Sequence, residues 1–129
     1  MKQFCVILIA LILLSCNNRR KPSTYEILKA TSQKLNQTLP RQIDSITTLE
    51  TTVAIQEDRF RYILYLKIDT ADYDLAEIER STREGNINWI KSNPEFKPLR
   101  DLRITLEYSY SDWNSIHLFT VTIKPEDYE

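Results

Sequence analysis

The chain opens with eleven apolar positions in a row, Phe4 to Leu14, behind a single basic residue, Lys2. A charged start, a short apolar run and a small residue at its end, Ser15, have the layout of a secretory signal. A membrane-spanning helix needs about 20 apolar residues, so this run is too short to span. Polar and basic residues, Asn17 to Lys21, begin three positions after its last residue.

Beyond Pro22 the apolar positions become periodic. Ser23-Thr24-Tyr25-Glu26 fits a capping box, in which the Ser hydroxyl and the Glu carboxylate satisfy each other's backbone donors. Tyr25, Leu28 and Leu35, with Ile27 beside them, mark one face of a helix predicted over Thr24 to Gln37. Leu39-Pro40 ends it. Thr47 to Ile55 is β-branched, with Leu49, Val53 and Ile55 expected on one face at period two. After the polar turn Gln56-Glu57-Asp58, Phe60, Tyr62, Leu64, Leu66 and Ile68 alternate with Arg61, Ile63, Tyr65 and Lys67, the clearest strand pattern in the chain. A second helix is expected from near Asp72, with Leu75 and Ile78 and then Trp89 or Ile90 on its apolar side. Gly85 costs about 1 kcal/mol there relative to Ala, so a break or kink is expected at that point. Asn93-Pro94 ends the helix, and Phe96 to Leu99 reads as an irregular connector. A second hairpin joins Leu102 to Tyr110 with Ile116 to Ile123 across Ser111 to Ser115, and Pro125 stops it before an acidic tail. The predicted order is α-β-β-α-β-β. The expected fold is α+β, an antiparallel four-stranded sheet of two hairpins with both helices packed on one face.

Leu13-Leu14-Ser15-Cys16 resembles the lipobox of bacterial lipoproteins, with Leu14 a tolerated variant at the middle position. The resemblance implies thioether lipidation of Cys16, cleavage between Ser15 and Cys16, and acylation of the new amino terminus. The domain organisation that follows is a signal peptide over 1–15, a lipidated tether over 16–22 and one domain over 23–129, about 107 residues and enough for one core. An ordinary cleaved signal is the competing reading. Cys5 leaves with the signal and Cys16 is consumed by lipid, so neither a disulfide nor cysteine chemistry is expected in the mature protein, although its compartment is oxidising. In many two-membrane bacteria an aspartate after the lipidated cysteine retains a lipoprotein at the inner membrane. Asn17 stands there in this chain, which favours the outer membrane.

Charge and residue counts narrow the chemistry. Removing Lys2 leaves 16 basic and 18 acidic residues, without the basic excess of a nucleic-acid binder. Arg19-Arg20-Lys21 is the single basic cluster, suited either to anionic head groups or to a solvated linker. His117 is the only histidine, which weakens Ser–His and His-metal schemes together. Asp69, Asp72 and Asp74 do not make an EF-hand, whose sixth and twelfth positions need Gly and Glu. Counted from Asp69, those positions hold Asp74 and Arg80. These aspartates are expected to cap a helix and complement its dipole instead. Gly85 is the only glycine, so no glycine-rich phosphate cradle exists. No catalytic residue, metal or cofactor is assigned.

A second resemblance covers the mature chain. Asn36-x-x-Leu39-Pro40-x-x-Ile43-Asp44-x-x-Thr47, the Tyr-rich strand Phe60 to Leu66 and the closing Tyr108-x-Tyr110-x-Asp112 resemble small exported bacterial proteins, many of them lipoproteins. It implies fold and location and no activity. Relatives often carry one cysteine after the second helix and another near the carboxyl end. Here Ile90 or Lys91 and Tyr128 stand near those places.

What remains for function is surface. If helices cover the face bearing Phe60, Tyr62, Leu64 and Leu66, the opposite face is mixed, whereas a solvated sheet face normally alternates more strictly polar. Ile63, Tyr65 and Leu118 are its apolar candidates for partner binding. Trp113, at the hairpin tip, is the fourth, since a large exposed aromatic can anchor a partner. The expected function is a membrane-anchored cell-envelope lipoprotein, a non-catalytic binding or structural module that meets an envelope protein partner and no nucleic acid. The alternative is an immunity or inhibitor lipoprotein that neutralises an envelope-acting toxin or hydrolase.

Overall fold

The computed structural model describes residues 20–129, so the signal, the cleavage position at Ser15 and the lipidation candidate Cys16 lie outside the described residues. The first helix, α1 (Thr24–Asn36), starts with the expected capping box. Ser23 Oγ accepts from the Glu26 amide at 3.2 Å, and Glu26 accepts from the Ser23 amide at 2.7 Å. Five strands follow: β1 (Arg41–Gln42), β2 (Thr47–Ile55), β3 (Arg59–Leu66), β4 (Thr105–Asp112) and β5 (His117–Ile123), lying side by side in that order.

The sheet departs from the expected four antiparallel strands in two ways. The two-residue β1 adds a fifth strand, and the central pair β3–β4 is parallel, Phe60 facing Leu106 and Leu66 facing Asp112. Between them the chain passes through a 3-10 turn (Thr70–Asp72), α2 (Leu75–Ser92), a second 3-10 turn (Pro94–Phe96) and α3 (Lys97–Asp101). This helical crossover returns the chain to the end where β3 began, and such a connection is what joins parallel neighbours. Periodicity within a strand reports its buried face and is silent on its neighbour's direction.

Several boundaries also differ. The second helix begins at Leu75, with Asp74 Oδ1 accepting from the Ala76 and Glu77 amides, while Asp72 belongs to the 3-10 turn capped by Asp69. It runs unbroken through Gly85, where an added methyl group would meet nothing within 4 Å. The Phe96 to Leu99 connector is helical, in the second 3-10 turn and α3. That places Leu102 at the end of α3 and delays β4 to Thr105. The acidic tail is ordered as α4 (Pro125–Tyr128), and the Tyr128 hydroxyl donates to the Ile104 carbonyl at 2.6 Å. Arg83 of α2 bonds Asp127 at 2.9 Å and the Thr122 carbonyl at 2.7 Å, tying the carboxyl end down without a disulfide.

One face of the sheet is the core. Phe60, Tyr62, Leu64 and Leu66 of β3 are buried, with Leu106, Tyr108 and Tyr110 of β4 and Phe119, Val121 and Ile123 of β5. Helix α1 packs on β2 and α2 on β5, bringing Leu28 and Ile90 into the same core with no exposed surface. Trp89, the other candidate for that α2 position, is exposed. In β2 a bulge between Leu49 and Thr51 inserts Glu50. The extra residue shifts the alternation, so Leu49 stays in the core and Thr52 takes the next buried place. Val53 and Ile55, expected beside Leu49, fall on the other face, and Val53 is exposed.

The aromatic centre gives the domain a defined alkaline limit. Tyr62 and Tyr108 stack with ring centroids 4.8 Å apart and planes 9° from parallel. Burial pushes the hydroxyls of Tyr62, Tyr108, Tyr110 and Tyr128 above the usual value of 10. A group whose folded pKa is raised keeps its proton longer in the folded state. Its stabilising effect is therefore complete below the unfolded value and is lost as pH rises past it. Stability should fall steadily above pH 10, with the buried tyrosinates appearing together with the loss of circular dichroism. Stepwise ionisation of all seven tyrosines in a domain that stays folded would contradict this.

Candidate functional site

Among the described residues no helix covers the face opposite the core, and that face divides along β3. At the start of the strand Arg59 and Arg61 flank Glu107 of β4, which faces Arg61 in the parallel register. Arg61 approaches the Glu107 carboxylate at 2.7 Å and Arg59 at 3.2 Å. The Glu107 side chain is only 7 % exposed, against 37 % for Arg61 and 40 % for Arg59. Two cations thus surround one nearly buried anion, which is fully engaged inside the fold.

The other half is aromatic. Near the carboxyl ends of β3 and β4, Ile63 and Tyr65 lie half-buried beside Ser109 and Ser111. A shallow, open groove of about 550 Å³ is lined there by Glu50, Ile63, Leu64, Tyr65, Ser111, Asp112, Trp113 and Ser115. Trp113 is 66 % exposed and also lines a smaller depression of about 160 Å³ with Lys67, Ile68 and Asp69.

Local hydrogen bonds explain why Trp113 stands where it does. Asp112 Oδ1 accepts from the amides of Asn114 and Ile116, both at 2.9 Å. The Asp112 amide donates to the Ile116 carbonyl, and the Ser115 amide donates to the Asp112 carbonyl. Ser115 has φ of 64°, the left-handed turn that closes the loop. Asp112, buried at the end of β4, therefore folds the chain around its own carboxylate and leaves the indole projecting outward.

Three of the four partner-binding candidates, Ile63, Tyr65 and Trp113, line one groove. Leu118 does not. It is the extra residue of a second bulge, between Tyr110 paired with Phe119 and Ser111 paired with His117, and it packs half-buried against the core. Period-two counting had placed it on the open face, and an inserted residue invalidates the count. Glu50 and Asp112 belong to the groove and were not assigned to it from sequence. Nothing in the sequence marks the bulge that presents Glu50, whereas Asp112 closes the Tyr-x-Tyr-x-Asp segment. His117 is exposed outside the groove, its Nε2 3.5 Å from the Thr120 hydroxyl. Among the described residues no group of three His, Cys, Asp or Glu side chains could hold a metal ion, and no helix is long and apolar enough to cross a membrane. The groove offers an apolar floor, two aromatic rings, hydroxyls and carboxylates, a set suited to holding a side chain of another molecule.

Comparison with solved structures shows a shared fold. A protein of Pseudomonas aeruginosa described as secreted superposes with TM-score 0.70 at 14 % identity, over 82 % of this chain and 93 % of its own. EpsS, the pilotin of the Vibrio vulnificus type 2 secretion system, superposes with TM-score 0.64 at 7 % identity, over 80 % of this chain and 89 % of its own. AspS, the type II secretion system pilotin of Vibrio cholerae, gives 0.61 at 10 % identity, over 78 % and 88 %. Comparison with protein-family models and with curated proteins gives no match.

Proposed function

We propose that this chain is a lipid-anchored protein of the bacterial cell envelope that acts by binding another envelope protein, without catalysis. The observation that carries the reading is the fold shared with two pilotins of type II secretion systems over about four-fifths of the chain. Such a module needs an anchor and one complementary surface. Cys16 within the lipobox supplies the anchor. Each acyl methylene buried in the bilayer contributes about 0.8 kcal/mol, and the eight residues from Cys16 to Ser23 reach at most about 29 Å at full extension. The domain therefore works close to a membrane, and Asn17 after the cysteine favours the outer one. The surface is the open sheet face, with Ile63, Tyr65 and Trp113 as its apolar contacts.

The test is made in cells with the full chain, replacing Tyr65 by a photo-crosslinking phenylalanine analogue and, as a control, Lys29 on the exposed side of α1. Irradiation should give a discrete adduct with an envelope protein at position 65 and none at 29, while Cys16→Ala should abolish fatty-acid labelling. Absence of an adduct at 65 removes the binding surface, and equal labelling of Cys16→Ala removes the anchor.

A further inference from the structure

The electrostatics of the groove point to the chemistry of what it holds, an inference that rests on the open sheet face being the binding surface. Its lining has two carboxylates, Glu50 and Asp112, and, among the described residues, no basic side chain. The two carboxylates are not equivalent. Asp112 is buried and spends an oxygen on the amides of Asn114 and Ile116. Glu50 is exposed, is the inserted residue of the β2 bulge, and has no ion-pair partner among the described residues. The bulge leaves Glu50 unpaired with β3, and it lines the groove together with Tyr65 and Trp113. The basic groups of this face lie outside its lining. Arg59 and Arg61 are engaged with Glu107 at the other end of β3, and Lys67, two residues beyond Tyr65, lines the neighbouring smaller depression with Ile68, Asp69 and Trp113.

We infer that the groove receives an arginine side chain from an exposed segment of the protein partner. A guanidinium is planar, stacks on aromatic faces and offers a fork of N–H donors that fits a carboxylate. Tyr65 and Trp113 supply the faces, Glu50 the free carboxylate, and the aliphatic stem of the arginine lies on Ile63. Asp112 acts as a positioning residue that holds the Trp113 loop. A lysine would find the charge but not the stacking or the bidentate geometry, and an acidic segment would meet two carboxylates.

The test uses the full chain in neutral detergent with Trp89→Phe, which leaves Trp113 as the single tryptophan reporter. Trp89 is exposed on α2, away from the groove lining. The probe is an acetylated, amidated pentapeptide alternating leucine and arginine, set against the same peptide with neutral citrulline in place of arginine. The arginine peptide should shift Trp113 emission saturably and bind at least tenfold more tightly than the citrulline peptide. Glu50→Gln should reduce that preference to less than threefold with an unchanged melt. No saturable binding of the arginine peptide, equal binding of the two peptides, or an undiminished preference in Glu50→Gln would each overturn the inference. Failure here together with an adduct from position 65 leaves the partner-binding reading standing and discards only the arginine. Arginine-selective binding without an adduct from position 65 has the opposite meaning.

Discussion

Leu106→Ala is expected to lower the stability of the domain by about 2–5 kcal/mol, and Leu64→Ala by an amount in the same range. Leu106 is 1 % exposed and Leu64 4 %, and they sit on neighbouring parallel strands at the centre of the sheet, where the surrounding elements cannot collapse into the space left. Loss of apolar transfer energy and the residual cavity then add. Val53→Ala makes the comparison decisive. Period-two counting assigns Val53 to the same face as Leu49, whereas the bulge at Glu50 turns it outward. Its truncation should cost under about 1 kcal/mol, the level of exposed positions. Chemical denaturation of the three variants checks both faces at once. A large loss for Val53 with a small one for Leu106 would mean that the sheet presents its other side to the helices.

Asn36→Ala is the second change expected to weaken the fold strongly, and its reason is not apolar. Beyond the two-residue β1, the outer edge of β2 has no neighbouring strand among the described residues, and Asn36 at the end of α1 takes that place for Thr52. Its Nδ2 donates to the Thr52 carbonyl at 2.9 Å and its Oδ1 accepts from the Thr52 amide at 2.8 Å. The Thr52 hydroxyl also donates to Oδ1 at 2.9 Å, and Ser32 Oγ donates to the same Thr52 carbonyl at 2.8 Å. Thr52 is 3 % exposed. Removing the amide strands the buried Thr52 N–H, an unsatisfied group costing about 1–3 kcal/mol, while the Thr52 hydroxyl keeps Ser32 Oγ as acceptor at 3.1 Å. The expected loss is about 1–3 kcal/mol on that basis, with increased self-association because an open strand edge can pair with another chain. Asn36→Asp keeps the acceptor but loses the donor to the carbonyl, and should fall between wild type and alanine. A neutral Asn36→Ala in a thermal melt would show that water replaces the amide without cost.

This network explains the first half of the segment that resembles exported proteins. Asn36 closes the strand edge, and Asp44 Oδ1 accepts from the amides of Ile46 and Thr47 at 2.9 and 2.8 Å to shape the turn into β2. Those bonds hold the Asp44 carboxyl below its usual value. Asn and Asp there meet the needs of hydrogen bonding at a sheet margin. Asp112 has the same character at the other end, where it builds the loop that presents Trp113.

How much was legible follows the range of each interaction. The capping box at Ser23, the strand alternation from Phe60 to Leu66 and the outward placing of Ile63 and Tyr65 were readable, because each depends on residues within one or two turns of themselves. Val53, Ile55 and Leu118 were misplaced because one inserted residue inverts every side chain beyond it, and no local composition marks these bulges. The helix over Lys97 to Asp101 and the terminal α4 are too short to show a period. Tyr128 of α4 is held by burial and by the distant Ile104 carbonyl.

The sequence by itself determined the kinds and approximate extents of the main helices and strands, and the buried face of β3, β4 and β5. Backbone periods of 3.6 and 2 are local properties that the apolar residues must match. Only the tertiary structure decided that β3 and β4 run parallel, that Asn36 replaces a missing strand beside Thr52, and that Glu107 lies between two arginines. It also decided that Glu50, displaced by a bulge in β2, shares a groove with Tyr65 and with Trp113 from the β4–β5 loop. Those are meetings of residues far apart in the chain, set by the crossover between the hairpins and by single inserted residues, and neither leaves a local periodic trace.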